Sequence, residues 1–168
     1  MEANPISPYH IERVSARAGL LFGFLGLVAW GTGHPFIFSS LGPTAFVLSD
    51  WTEGNGETAW TIIGSHVWGT VSGLGCYHLL ATGETLMKLS FAGSETGLVL
   101  AASGTFAMFL TSALMLGTRS VHPPACATTL IVSLGLLSTP ADGAIIIAAV
   151  TGLYGLARGL QYLSRRVD

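Results

Sequence analysis

Arg119-Ser120-Val121-His122-Pro123-Pro124-Ala125-Cys126 is the stretch on which the fold turns. It sets a cation, an imidazole and two consecutive prolines between two uncharged runs, 97–118 and 125–141. Proline lacks a backbone N–H and has a fixed φ, so it suits the first turn of a helix and disrupts an interior one. One helix therefore ends near Thr118 and another begins near Pro123. Inside a bilayer such a break strands backbone polar groups. They are tolerated only where buried in protein or lining a wet cavity.

The composition places the break in a membrane. Half of the 168 residues are hydrophobic and only 10% are charged, against roughly 25% charged in an ordinary soluble domain. No Asp, Glu, Lys or Arg falls within 18–49, 58–83, 96–118, 120–141 or 143–157. A bilayer crossing takes about 20 apolar residues. A soluble bundle would need charged outer faces, and these runs have none. The chain reads as one multi-pass transmembrane domain, 1–168, with the lipid bilayer as its first partner. A net charge of −2 gives no nucleic-acid footprint. Cys76 and Cys126 both lie in apolar segments, which argues against a disulfide framework.

Residues 1–14 read as a cytoplasmic lead-in. Arg13 and Arg17 before Ala18–Trp30 resemble a secretory signal, but no small-x-small cleavage site comes after it and hydrophobicity resumes at once. The expectation is a retained first helix, in a prokaryotic inner membrane. Full-length helices are predicted at about 15–32, 59–80, 97–118 and 144–163. Small residues at four-residue spacing mark close-packing faces: Gly19 and Gly23; Ser65, Gly69 and Gly73; Thr151, Gly155 and Gly159. Gly42-Pro43 reads as a second break, with a helix restarting at Pro43. From Pro43 to Trp51 is about 13 Å of helix, too short to cross.

The expected fold is thus all-α: four full transmembrane helices plus two short, proline-started, half-membrane helices in a twofold internal repeat. The alternative is six crossing helices in a 3+3 repeat. The halves run over about 15–82 and 97–163. Their correspondence is Ser40-Leu-Gly-Pro43-Thr-Ala45 over Ser120-Val-His-Pro123-Pro-Ala125, an offset of 80 residues. Interrupted segments at matching places in two halves point to a transporter's binding site. Arginines flank both ends of the chain, whereas loop 50–58 carries only acids. Both termini are therefore expected in the cytoplasm.

A helix starting at Pro43 or Pro123 would present bare N–H groups and a positive dipole end, which favour an anion. The candidate pathway is Ser40, Gly42, Pro43 and Thr44 from the first half, His66, and Arg119, His122, Pro123, Pro124 and Thr128 from the second. His122 could tune anion binding by protonation, or cap the helix break. Arg119 belongs near the interface or in a wet vestibule, because a central charge costs roughly 3 kcal/mol or more. His122 and Cys126 alone make no metal site. No catalytic triad and no phosphate loop is present. No enzyme activity, metal or cofactor is expected.

These residues resemble the HPP family of integral membrane proteins. The likeness rests on Ser40-Leu-Gly-Pro-Thr44-Ala, Gly64-Ser-His66-Val-Trp-Gly69 and Arg119-Ser-Val-His122-Pro-Pro-Ala125-Cys-Ala-Thr128, and it covers about 15–160. The family is described as having four transmembrane helices. Members in chloroplasts and cyanobacteria are associated with nitrite movement. Cys126 stands where a small residue such as glycine is the family's pattern. The resemblance implies a transporter or channel for a small anion, with nitrite as substrate. A homo-oligomer packed through the glycine faces is expected, since the chain is short for a solitary transporter. The competing expectation is a non-transporting membrane scaffold or sensor subunit.

Overall fold

The computed structural model describes residues 8–50, 57–89 and 92–167. Every regular element among them is helical. The helices are α1 (Pro8–Thr32), α2 (Phe36–Ser49), α3 (Ser65–Leu80), α4 (Glu95–Gly117), α5 (Ala125–Ser133) and α6 (Pro140–Val167). A π-helical turn, Trp60–Gly64, leads without interruption into α3, so the helical run spans 59–80 as the sequence predicts. Among the described residues, three helices are long and apolar enough to cross a membrane: Tyr9–Thr32, Glu95–Gly117 and Pro140–Arg166.

Three elements differ in their boundaries from the expectation; the last helix, expected at about 144–163 after a turn at 139–143, runs over Pro140–Val167. The first helix begins at Pro8, not near Ser15, so part of the supposed lead-in is helix; residues 1–7 lie outside the described residues. Nor does a helix begin at Pro43. That residue lies inside α2, whose N-cap is Pro35. The true corner is Gly33-His34-Pro35. Gly33 takes φ +72, open to glycine at no steric cost, and its N–H bonds the Ala29 carbonyl at 2.9 Å. Pro43 is tolerated because it faces outward and comes after Gly42. The absent Gly42 side chain also admits the Phe22 ring, 3.2 Å from where a Cβ would stand. Proline inside a membrane helix is common where neighbours compensate.

The second short helix begins as expected. Pro124 is the N-cap of α5, and the helix ends in a glycine cap at Gly135, φ +74. There a Cβ would lie 2.3 Å from the Glu84 carbonyl oxygen, so no other residue fits. At the start of α6, Thr139 and Asp142 form a reciprocal cap. The Thr139 N–H donates to Asp142 Oδ2 at 3.0 Å, and the Asp142 N–H to Thr139 Oγ1 at 3.1 Å.

Long, short, long therefore occurs twice, and the chain reverses direction at every element. His10 near the start of α1 lies 3.8 Å from Asp50, just past the end of α2. The Trp60 indole reaches the Thr118 carbonyl beyond the end of α4, at 3.1 Å. Arg158 in the last third of α6 donates to the Glu57 carbonyl oxygen. At the opposite end, His34 lies 3.4 Å from Asp142, and the Leu86 N–H bonds the Leu134 carbonyl at 3.0 Å. So α2 returns the chain to the end where α1 began, and does not re-enter and exit on one side.

The interior has two parts. Leu21, Leu25, Ile37, Leu41, Ile146, Val150 and Leu153 form an apolar core where α1, α2 and α6 meet. Between α2, α3, α4 and α5 runs a buried polar seam that includes Thr44, His66, Thr111, His122, Thr128 and Thr129, all fully buried. The large apolar residues Leu27, Trp30, Leu98, Phe109 and Leu116 point outward, each at least two-thirds exposed. Polar inside and apolar outside is the arrangement lipid requires.

Candidate functional site

The buried polar seam is assembled by close packing. On α3, Gly69 and Gly73 face α5. A Cβ at Gly69 would lie 2.9 Å from Thr129 Oγ1 and 3.0 Å from the Ala125 carbonyl; one at Gly73 would lie 2.8 Å from Val132. Only hydrogen at these positions lets the two backbones meet this closely, as the four-residue spacing predicts. The same approach brings His66, one turn before Gly69, against α5. The π-turn just before it adds a residue to the helical circuit and re-aims the side chains of α3; such turns recur at functional sites.

Four of the expected pathway residues come together around His66. Thr44 Oγ1 lies 3.0 Å from His66 Nε2 and 3.1 Å from His122 Nε2. Thr128 Oγ1 lies 2.8 Å from His66 Nδ1. The two rings stand 5.7 Å apart. The free nitrogen of His122, Nδ1, faces Glu57, at 3.2 Å from Oε2 and 3.4 Å from Oε1. The nearer oxygen is off the N–H direction, so Oε1 carries the hydrogen bond.

His122 is fixed by the corner between α4 and α5. The Trp68 indole donates to Thr118 Oγ1 at 3.0 Å, and Thr118 donates to the Leu114 carbonyl at 2.6 Å. Ser120, fully buried, bonds Thr118 Oγ1 at 2.9 Å. Arg119 holds the helix-ending position with φ +56, and the Ser120 N–H closes onto the Met115 carbonyl at 3.0 Å.

The other pathway residues are placed differently. Ser40 turns back to the Ile37 carbonyl at 3.3 Å. Gly42 lies under Phe22, while Pro43 and Pro123 are exposed and Pro124 caps α5. Arg119 is exposed at the corner, consistent with an interfacial cation. The bare amides expected at 43–45 and 123–125 are not formed. Residues 43–45 sit within α2, and the N–H groups of Ala125, Cys126 and Ala127 bond the carbonyls of His122, Pro123 and Pro124. The donors and acceptors are instead side chains. Sequence reasoning missed Glu57, because the acids of loop 50–58 look like a solvated loop. Its position immediately before an apolar run is the only signal.

The family profile described as HPP, transmembrane region, matches residues 4–162. The chain belongs to the HPP family. No curated protein and no solved structure matches it. His122, which opens the His122-Pro123-Pro124 stretch, is the residue whose ring links the seam to Glu57. As an HPP member the chain is a membrane protein, in keeping with its apolar helices.

Proposed function

We propose that this HPP-family chain moves a small inorganic anion across the membrane, with nitrite the substrate that its family resemblance implies. The observation that carries the reading is the polar seam between two short helices. Ionisable and hydroxyl side chains inside a membrane are expensive and mark solute or proton pathways. Two interrupted segments from matching places in two halves mark a binding site at the repeat interface. His66 is held between one such segment on each side. The donors for the anion are the threonine hydroxyls and imidazoles, in place of the bare amides. The protein acts as a carrier and not as a catalyst.

The repeat itself is best read as three elements plus three, inverted. Aligning Thr44 with Thr128 pairs Thr44-Ala-Phe-Val-Leu-Ser49 with Thr128-Thr-Leu-Ile-Val-Ser133. The burial pattern agrees: both threonines are fully buried, Phe46 and Leu130 face out, and Ser49 and Ser133 are fully buried. This register is four residues from the offset of 80, because α5 starts later than α2 does. An odd number of direction reversals per half inverts the second half. Every arginine lies toward the end where α1 begins and Lys88 toward the other, which supports a cytoplasmic position for both termini. The outward faces at Gly19, Gly23, Gly155 and Gly159 touch no other element, which supports a homo-oligomer.

The test is anion flux into proteoliposomes, comparing the native chain with His122→Ala at two pH values. Nitrite uptake above that of empty liposomes is expected. His122→Ala should slow it about tenfold, since losing one buried partner costs roughly 1–3 kcal/mol. Absence of flux for nitrite, nitrate, formate and chloride alike would overturn the reading in favour of a scaffold or sensor.

A further inference from the structure

The seam has a direction. Glu57, when ionised, can only accept, so the hydrogen on neutral His122 sits on Nδ1 and Nε2 is bare. Thr44 must then donate to His122 Nε2, across 3.1 Å. Its oxygen is left to accept, so His66 carries its hydrogen on Nε2, across 3.0 Å. His66 Nδ1 is then bare and accepts from the Thr128 hydroxyl at 2.8 Å. Every hydrogen bond from Thr128 to Glu57 points the same way.

A second arrangement satisfies the same heavy atoms with one more proton. A proton arriving at Thr128 oxygen lets Thr128 pass its hydroxyl hydrogen to His66 Nδ1. His66 passes its Nε2 hydrogen to Thr44, and Thr44 passes its own to His122 Nε2. Within the chain three N–H or O–H bonds break and four form, the fourth being the O–H made by the arriving proton on Thr128, and the positive charge comes to rest on doubly protonated His122. There it faces the Glu57 carboxylate at 3.2 Å. The Thr128 hydroxyl now accepts from His66 and has a hydrogen free for another acceptor. His122 can hand its Nδ1 hydrogen to Glu57, whose side chain is 23% exposed and reaches water.

We propose that Glu57, His122, Thr44, His66 and Thr128 form a one-proton store, and that one proton travels with each anion. This rests on the transport reading above and deepens it. An anion beside an ionised Glu57 is repelled; the same anion beside a loaded store meets a neutral site and a freed hydroxyl donor. Other charges do not compete for this role. From α6 only Arg158 reaches the region, and its guanidinium is engaged by the Glu57 carbonyl, Tyr154 Oη at 3.1 Å and Gln161 Oε1 at 2.9 Å. Arg119 on the neighbouring corner faces solvent, and Asp50 lies against His10. Among the described residues, α2, α4 and α5 bring no charged side chain to the seam.

The experiment counts protons per nitrite in proteoliposomes holding a trapped pH dye, with the membrane potential set by potassium and valinomycin. Protein-free liposomes give the background carried by nitrous acid. The native chain is expected to move one proton with each nitrite, to ignore the membrane potential, and to accumulate nitrite about tenfold per pH unit of gradient. In Glu57→Gln the ratio should fall toward zero and the remaining flux should become sensitive to potential. Native flux without protons would overturn the store and leave the transport reading standing. Absence of any anion flux would overturn both. A Glu57→Gln ratio still at one would remove Glu57 from the role. Should that variant fail to fold, Thr44→Val, which breaks the chain at constant volume, decides by the same ratio.

Discussion

Thr44 and Thr128 hydrogen-bond opposite nitrogens of one imidazole, His66, at 3.0 Å and 2.8 Å. Each lies five residues before the last residue of its short helix, α2 or α5, and both are fully buried. One ring from a long helix therefore spans the two short helices. A shift of either short helix is felt at the other through His66.

Thr44→Val should leave two buried nitrogens unsatisfied, on His66 and His122, and Thr128→Val one, on His66. Each is expected to lower stability by about 1–3 kcal/mol, or several degrees in Tm for a chain of this size. Because both act on one ring, the double variant should depart from additivity by about 0.5 kcal/mol or more. Thermal unfolding in detergent checks this. Strict additivity would mean that the imidazole does not couple the helices.

Gly69→Ala should be destabilising by about 1–3 kcal/mol, as overpacking is. Its new methyl would meet the Ala125 carbonyl at 3.0 Å, and backbone cannot swing aside as a side chain can. Gly19→Ala meets nothing within 4 Å and should leave the monomer's fold undisturbed. If Gly19→Ala instead changes the oligomer size on gel filtration, the face around Gly19 is the contact between copies.

Much of the fold is legible in the sequence, for identifiable reasons. The π-turn and α3 together match the 59–80 helix because an uncharged run with glycines on one face has few other options. The α4–α5 corner is marked by two consecutive prolines, which favour a helix start over a helix interior. Gly42-Pro43 misleads, because its local chemistry is that of a break, yet burial against Phe22 and outward placement of Pro43 let the helix run through. Thr44, His66, His122 and Thr128 are each pathway candidates by residue type and place. Their convergence is not readable, since it depends on the approach of α3 to α5. Glu57 lies hidden for the same reason: 65 positions separate it from His122.

Arg119→Gly should stabilise the protein by about 1 kcal/mol. A left-handed backbone costs a side-chain-bearing residue roughly that much, and glycine adopts it freely. Arg119 has φ +56 at this cap. Faster anion uptake is not expected; the mouth loses a cation, and uptake should fall while Tm rises by a few degrees. A fall in Tm would show that the guanidinium holds the corner.

Single cysteines placed in a chain with Cys76 and Cys126 replaced should report the reversal of direction at α2. Arg13→Cys and Thr58→Cys are expected to react with an impermeant thiol reagent from one side, and Thr82→Cys from the other. A re-entrant α2 would give the opposite grouping, with position 82 joining 13.

The hydrogen-bond direction through the seam is read most directly by nitrogen-15 NMR of histidine-labelled protein in lipid. At neutral pH, His66 should carry its hydrogen on Nε2 and His122 on Nδ1, and acidification should move the His66 hydrogen to Nδ1 as His122 becomes doubly protonated. Both rings in the same tautomer at neutral pH, or a His66 that keeps its tautomer when His122 gains its proton, would rule out the one-proton store.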